Sequence, residues 1–104
     1  MKYPITENII GGKPILSNGD LLDVVCPLDG EVISQVHLSG SAAVNEAVKT
    51  ANNAFEAWSG ITLKERVQVF FKYKQLLEEN MAELSALIHE ENGKTIDEAK
   101  AEVE

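Results

Sequence analysis

The stretch ITLKERVQVFFKYKQLLEENMAEL, from Ile61 to Leu84, decides which fold this chain of 104 residues is predicted to adopt. Thr62 followed three residues later by Glu65 forms a capping box, in which two side chains satisfy free amide groups at a helix start. Asn80 and Glu83 repeat the spacing with an asparagine cap. Between the two starts the apolar residues form an arc wider than one stripe, which is typical of a helix covered on two sides. They are Val67, Val69, Phe70, Phe71, Tyr73, Leu76 and Leu77.

Further along, Gly93, Lys94 and Thr95 form the sequence GKT with which phosphate-binding P-loops end. A P-loop also needs a glycine five residues before Gly93, where this chain has Ile88, and it follows a strand rather than residues at helical spacing. We therefore predict that Gly93 ends one helix and that Thr95, with Glu98, caps the next. Lys94 is expected in a tight corner between the two helices.

Upstream, the helical period begins at Ser41, and we predict a helix that Gly60 ends. Its apolar residues recur three and four positions apart, which predicts one buried stripe with Trp58 as a core residue. The stripe consists of Val44, Ala47, Val48, Ala51, Phe55 and Trp58.

Residues 1–40 are predicted to form short strands, written NIIGGKPIL, LLDVVCP and EVISQVHL. We assign the pair Gly11–Gly12 to the first strand, and we expect Gly19 and Gly30 to adopt positive φ in turns. Ile33 breaks the alternation of the last strand, so both of its faces should be partly covered. The prediction is an α+β fold, with a small antiparallel β meander in residues 1–40 and consecutive α-helices in residues 41–104.

The composition is that of an ordinary soluble domain, with a net charge of −8. An acidic surface disfavours nucleic acid, and no apolar run approaches the length of a membrane span. The single cysteine, Cys26, cannot form an internal disulfide, and the N-terminus does not have the pattern of a secretory signal. We expect a cytoplasmic protein with neither nucleic acid nor membrane as a partner, and the mitochondrial matrix stays open as an alternative compartment.

No set of residues in the sequence predicts an active site. Cys26 lies between Val25 and Pro27 without an activating neighbour, which favours a small buried residue over a nucleophile. His37 and His89 do not have metal-ligand spacing. The pairs Glu78/Glu79 and Glu90/Glu91 point in diverging directions from a helix and are better explained as solvated charges than as acid–base partners. We assign no catalytic, cofactor-binding or metal residue.

A series of short motifs nevertheless runs along the chain: Ile10-Gly11-Gly12, Pro27 to Glu31, Phe55-Glu56-Ala57-Trp58, Arg66, Leu76 to Asn80, Leu84, Ile88 and Glu91 to Lys94. Their order resembles the N-terminal part of the aldehyde dehydrogenase superfamily. Each motif is weak alone, and the order and spacing of the motifs carry the resemblance over nearly all 104 residues. Within the superfamily, VFFKYKQLLEENMAEL and EENGKT are most similar to the methylmalonate-semialdehyde dehydrogenases. Cys26 and Leu28 depart from the asparagine and the small residue usual beside the turn proline.

The resemblance implies an oxidoreductase that uses NAD to oxidise an aldehyde through a cysteine thioester, which water or coenzyme A then releases. It also implies that this segment belongs to an α/β, Rossmann-like cofactor-binding domain in a longer polypeptide. The family's nucleophilic cysteine, general-base glutamate, oxyanion-hole asparagine and NAD-binding strands lie beyond residue 104. None of those roles passes to a residue of this chain, and no cofactor is expected for the chain alone.

The last helix runs to Glu104 with its apolar period intact, so we expect that the chain is an N-terminal fragment of such a dehydrogenase and inactive alone. Without the remainder of the polypeptide, its apolar helix should drive self-association into an oligomer. Two alternatives stay open at this point. One is a free-standing structural or regulatory docking module, and the other is a small enzyme in its own right.

Overall fold

The computed structural model describes all 104 residues and confirms the α+β class, with strands first and helices after them. The strands are β1 (Asn8–Ile10), β2 (Lys13–Ile15), β3 (Leu21–Val25) and β4 (Val32–His37). The helices are α1 (Ser41–Gly60), α2 (Leu63–Glu79), α3 (Met81–Asn92) and α4 (Ile96–Val103). No helix combines the length and apolar character that crossing a bilayer would need.

The strands form two separate antiparallel hairpins, β1 with β2 and β3 with β4, and not one continuous meander. The assignment of Gly11 and Gly12 to a strand is wrong. They have φ values of 61° and 74° and form the turn between β1 and β2, with Ile10 opposite Lys13. Two consecutive residues at positive φ match the right-handed twist of the flanking strands, and glycine adopts them at little cost.

Gly30 has the expected positive φ, 80°, but Gly19 does not. Gly19 is required for a different reason, since a Cβ atom there would lie 1.9 Å from the carbonyl oxygen of Leu38. The backbone at Leu38 approaches this closely because its amide donates to the carbonyl of Asp20 at 2.8 Å. Close backbone approach, not turn geometry, selects this glycine.

The N-terminal residues run beside β4, an arrangement that strand patterning did not predict. The amides of Tyr3 and Thr6 donate to the carbonyls of Ile33 and Gln35 at 2.9 and 2.8 Å, and the Ser34 hydroxyl donates to the Pro4 carbonyl at 2.6 Å. Ile33 and Ser34 are both buried, although successive strand residues point to opposite faces. The predicted cover on both faces of this strand is therefore confirmed.

The chain divides into two compact units. Unit one contains Met1–Val25 and Val32–Gly60, with both hairpins and α1. In this unit α1 contacts β1, and only small residues of the helix, Ala43, Ala47 and Thr50, are half-buried. The buried stripe predicted for α1 is wrong for this chain: Val44, Val48 and Phe55 are more than half exposed, and Trp58 is 38% exposed rather than a core residue.

Unit two contains Cys26–Glu31 and Ile61–Glu104. Its best-packed part is the α3–α4 pair, where Ala99 is completely buried and Ser85 nearly so. The Ser85 hydroxyl donates to the Met81 carbonyl at 2.7 Å, so its burial leaves no unpaired donor. Helix α2 has no fully buried residue, so the cover on two sides that its pattern indicates is missing here, as expected for the chain without the remainder of the polypeptide.

Two of the three predicted capping boxes are present, at Thr62–Glu65 and Thr95–Glu98. The box predicted at Asn80–Glu83 is wrong, because the Asn80 side chain makes no hydrogen bond to α3. Asn80 is the single residue between α2 and α3, and its side-chain amide donates instead to the Leu76 carbonyl at 2.8 Å. With φ −106° and ψ 14° it lacks the extended backbone that an N-cap side chain requires.

Candidate functional site

The GKT segment is the corner between α3 and α4, as predicted. Gly93 has φ 75°, and its amide donates to the His89 carbonyl at 2.9 Å, which closes α3 in a left-handed cap. Nδ1 of His89 lies 2.5 Å from the carbonyl oxygen of Lys94 and therefore ties the corner back to the helix. The ammonium of Lys94 forms an ion pair with Glu102 of α4.

Donors that a phosphate would need at this corner are used within the chain at Thr95 and Glu98. The amide and hydroxyl of Thr95 donate to the Glu98 carboxylate at 2.9 and 3.0 Å, and the Glu98 amide donates back to the Thr95 hydroxyl at 3.3 Å. A P-loop instead leaves consecutive amides free to surround the anion. Despite its GKT sequence, the corner stabilises two helices and does not form a nucleotide site.

These hydrogen bonds lower the pKa of the carboxyl at both capping boxes. For Glu98 the main cause is the backbone amide of Thr95, followed by its hydroxyl, with a contribution from Lys94. For Glu65 the backbone amide and then the hydroxyl of Thr62 act in the same way. Each shift is that of a carboxylate stabilised by donors, with no sign of an acid held protonated for catalysis.

The turn from Cys26 to Glu31 contacts the GKT corner within unit two. A Cβ atom on Gly93 would lie 3.1 Å from Cγ of Pro27 and 3.9 Å from Cδ2 of Leu28. The turn is closed by the Gly30 amide donating to the Cys26 carbonyl at 2.8 Å. Pro27 and Leu28 therefore pack on the corner, which gives Gly93 a second reason to lack a side chain.

Cys26 is 4% exposed, and its amide donates to the Glu31 carbonyl at 2.9 Å. A nucleophilic thiol needs access to substrate and an electropositive setting. The position of Cys26 agrees with the interpretation of a small buried residue.

The remaining candidates do not assemble into a site. Nδ1 of His37 lies 2.8 Å from the carbonyl oxygen of Gly19, so the two histidines serve different backbone contacts in different units. No group of three or more His, Cys, Asp or Glu side chains is placed to hold a metal ion. Glu78 pairs with Lys74, and Glu79 accepts from the Gln75 amide at 2.7 Å, so both carboxylates are engaged along the helix surface.

Unit one contains an open groove of about 640 Å³ beside the β1–β2 hairpin and the start of α1. Its lining mixes apolar side chains with Asn8, Asp20 and Glu46. A reactive site needs a nucleophile, acid or base placed next to a group that activates it, and the lining of this groove supplies no such pair.

Helix α2 exposes several large apolar side chains, and their surface is called here the α2 apolar face. These side chains are between 43% and 70% exposed, and contiguous exposed apolar side chains often mark an interface. Nε of Arg66 on the same helix is buried without a hydrogen-bond partner, which is rare for a buried donor. The face consists of Leu63, Val69, Phe70, Phe71, Tyr73 and Leu76.

Comparison with known proteins gives a consistent result. Residues 15–104 match the model of the aldehyde dehydrogenase family. Malonate-semialdehyde dehydrogenase 2 of Bacillus cereus is 45% identical over 100 residues, which cover 95% of this chain and 20% of that protein.

Solved structures agree. A Sinorhizobium meliloti protein described as a methylmalonate-semialdehyde dehydrogenase, complexed with NAD, superposes with a TM-score of 0.89 at 36% identity, over 97% of this chain and 21% of that one. Lactaldehyde dehydrogenase from Escherichia coli gives a TM-score of 0.93 at 31% identity, over 96% and 21% of the two chains. This chain therefore spans about a fifth of the length of the relatives that it matches.

Proposed function

The chain belongs to the aldehyde dehydrogenase family, and we propose that it serves as the N-terminal part of an NAD-dependent dehydrogenase whose substrate is malonate or methylmalonate semialdehyde. The names of the relatives supply the substrate class, and the family supplies the cysteine thioester chemistry. The contribution of this chain is structural: it presents helices on which the rest of such an enzyme packs.

The observation that carries this proposal is the exposure of α1 and α2. Val44, Val48 and Phe55 on α1 and the α2 apolar face have the patterns of buried helix surfaces, yet they contact solvent. Burying apolar area stabilises a protein by about 25 cal/mol per Å². Segments that cover α1 and α2 would therefore gain free energy at each helix.

The residues of this chain do not fit NAD by themselves. The Gly11–Gly12 pair forms a hairpin turn and does not lead into a helix, and the donors of the GKT corner are used within the chain. A dinucleotide fingerprint requires a glycine-rich turn between a strand and a helix, whose N-terminus faces the pyrophosphate. We therefore assign no step of the oxidation to a residue of this chain, and we propose that it is inactive alone.

The test compares the 104-residue chain with a chain extended to the length of its relatives by their remaining sequence. NADH formation is followed with malonate and methylmalonate semialdehyde, with and without coenzyme A. We expect activity only in the extended chain, and Cys26→Ser should leave that activity within about twofold because Cys26 is buried in a turn. Activity in the short chain, or its abolition in an extended, folded Cys26→Ser variant, would contradict the proposal.

The same uncovered helices support two further roles for the chain as it stands. We propose self-association, since a second copy is the nearest source of complementary apolar surface. The alternative is a docking module that binds a different partner through the same helices. A chain that stays monomeric at every concentration but binds a full-length dehydrogenase would favour the docking module.

A further inference from the structure

Helix α2 differs in charge from the other helices of this acidic chain. It carries four basic and three acidic residues, whereas α1, α3 and α4 each carry more acidic than basic residues. The two ends of the helix also differ in charge, because its first turn carries Lys64, Glu65 and Arg66 and is net positive, whereas its last turn carries Glu78 and Glu79. Two such helices side by side attract each other when they run antiparallel and repel at both ends when they run parallel.

Three residues of α2 define the line along which this attraction would act. Lys64, Phe71 and Glu78 are seven residues apart, so they lie on one stripe of the helix, with Phe71 midway between opposite charges. Phe71 is 61% exposed, and Leu63 and Phe70 beside the stripe are 70% and 62% exposed. Lys64 makes no ion pair within the chain, and Glu78 pairs only with Lys74, one turn away.

From this arrangement we propose that two copies of the chain associate through antiparallel α2 helices, with a two-fold axis at Phe71. The axis places the Phe71 rings of the two copies together. It also places Lys64 of each copy against Glu78 of the other, which gives two equivalent ion pairs. Isologous contacts of this kind are the commonest way in which identical chains form closed dimers.

The apolar area that α2 exposes is sufficient for a weak dimer. Leu63, Phe70 and Phe71 each expose roughly 120 Å² of a side chain of about 200 Å², or about 360 Å² per copy. A standard interface buries about 800 Å² per partner, of which slightly more than half is apolar. The three side chains therefore supply most of the apolar area, and we expect a reversible dimer with a dissociation constant in the micromolar range.

This proposal rests on the self-association proposed above and specifies its geometry. The first experiment measures mass against concentration by analytical ultracentrifugation of the 104-residue chain. A carbodiimide then joins contacting amines and carboxylates directly, in a mixture of isotopically labelled and unlabelled chains. Lys64 and Glu78 of one helix are about 21 Å apart, so a Lys64–Glu78 cross-link that joins a labelled peptide to an unlabelled one identifies the antiparallel contact.

Charge reversal provides a second readout. In the dimer, Lys64→Glu places a new carboxylate opposite Glu78 at both symmetry-related contacts. Because these charges repel, the dissociation constant of the dimer should rise about tenfold. Lys64→Glu/Glu78→Lys restores opposite charges and should return it to within about threefold of the original value. The matched control is Lys72→Glu/Glu79→Lys, which makes the same exchange off the stripe and should leave the dimer unchanged. Circular dichroism confirms that each variant keeps its helices.

The outcomes separate the two proposals. A monomer at all concentrations overturns both self-association and its geometry. A dimer without the Lys64–Glu78 cross-link, or one that the double reversal fails to restore, overturns the antiparallel α2 contact and leaves self-association standing. Neither result bears on the activity of the extended chain, which a separate assay measures.

Discussion

Glu65 and Glu98 occupy equivalent positions in two helix starts, and each accepts hydrogen bonds from the amide and hydroxyl of a threonine. Both carboxyls therefore have a pKa below the ordinary value of 4.5. A carboxyl whose pKa is lower in the folded chain stabilises the fold above its unfolded pKa and loses that effect as the pH falls through the folded pKa. Part of the acid sensitivity of α2 and α4 should therefore arise at these two residues.

We predict that Glu98→Gln reduces the loss of stability below pH 4.5, because glutamine keeps the geometry of the box and removes its titration. Urea unfolding followed across this pH range measures the effect. Glu83→Gln is the matched control, since Glu83 has the same spacing from Asn80 but no box forms there. Equal pH profiles for the two variants would show that the Thr95 hydrogen bonds do not determine the acid response.

At the scale of single elements, two glycines next to the β3–β4 hairpin are required for different reasons. Gly30 supplies positive φ in the turn, whereas Gly19 provides space for the Leu38 carbonyl. The sequence predicted a glycine-dependent turn at both positions. The second cause lies in the tertiary structure, because Leu38 is distant from Gly19 along the chain.

We predict that Gly19→Ala destabilises the chain by at least about 2 kcal/mol, since the backbone on both sides of the 1.9 Å clash would have to move. Gly40→Ala is the control: no atom lies within 4 Å of its added Cβ, and its φ is not positive. It should change the free energy of unfolding by no more than about 0.5 kcal/mol. Equal effects of the two substitutions in chemical denaturation would mean that the close approach does not limit stability.

At the scale of the whole molecule, the exposed surface is large for its mass. The accessible surface is 7866 Å², whereas a folded monomer of 11.4 kDa is expected to expose about 5,800 Å². Large apolar side chains of α1 and α2, among them Phe55, Phe70 and Phe71, contribute to this exposed surface. A chain with this surface should bind whatever supplies a matching apolar face, and the proposals above follow from it.

We predict that Trp58, the only tryptophan, is quenched by acrylamide in the folded chain at roughly a third to a half of the unfolded rate, in line with its 38% exposure. In the extended chain, cover over α1 should reduce this quenching severalfold. Lys64→Glu serves as a control, because it acts on α2 and should leave Trp58 quenching unchanged. Weak quenching of Trp58 in the short chain would show that α1 is already covered there.

The sequence by itself determined the α+β class, two of the three capping boxes, the glycine cap at Gly93 and the family. These features depend on local chemistry: a threonine and a glutamate three residues apart can cap a helix without reference to distant residues. The rejection of a P-loop at GKT has the same basis, because the missing glycine and the preceding helix can both be seen in the sequence.

The tertiary structure alone decided which predicted faces are covered. The patterns of α1 and α2 correctly indicate faces suited to burial, but burial requires a partner, and this chain supplies none for Phe55 or for Phe71. It also decided the pairing of Tyr3 and Thr6 with β4, the separation of the two hairpins and the need for Gly19. Each of these depends on contacts between residues far apart in the chain, which hydrophobic period and turn chemistry do not encode.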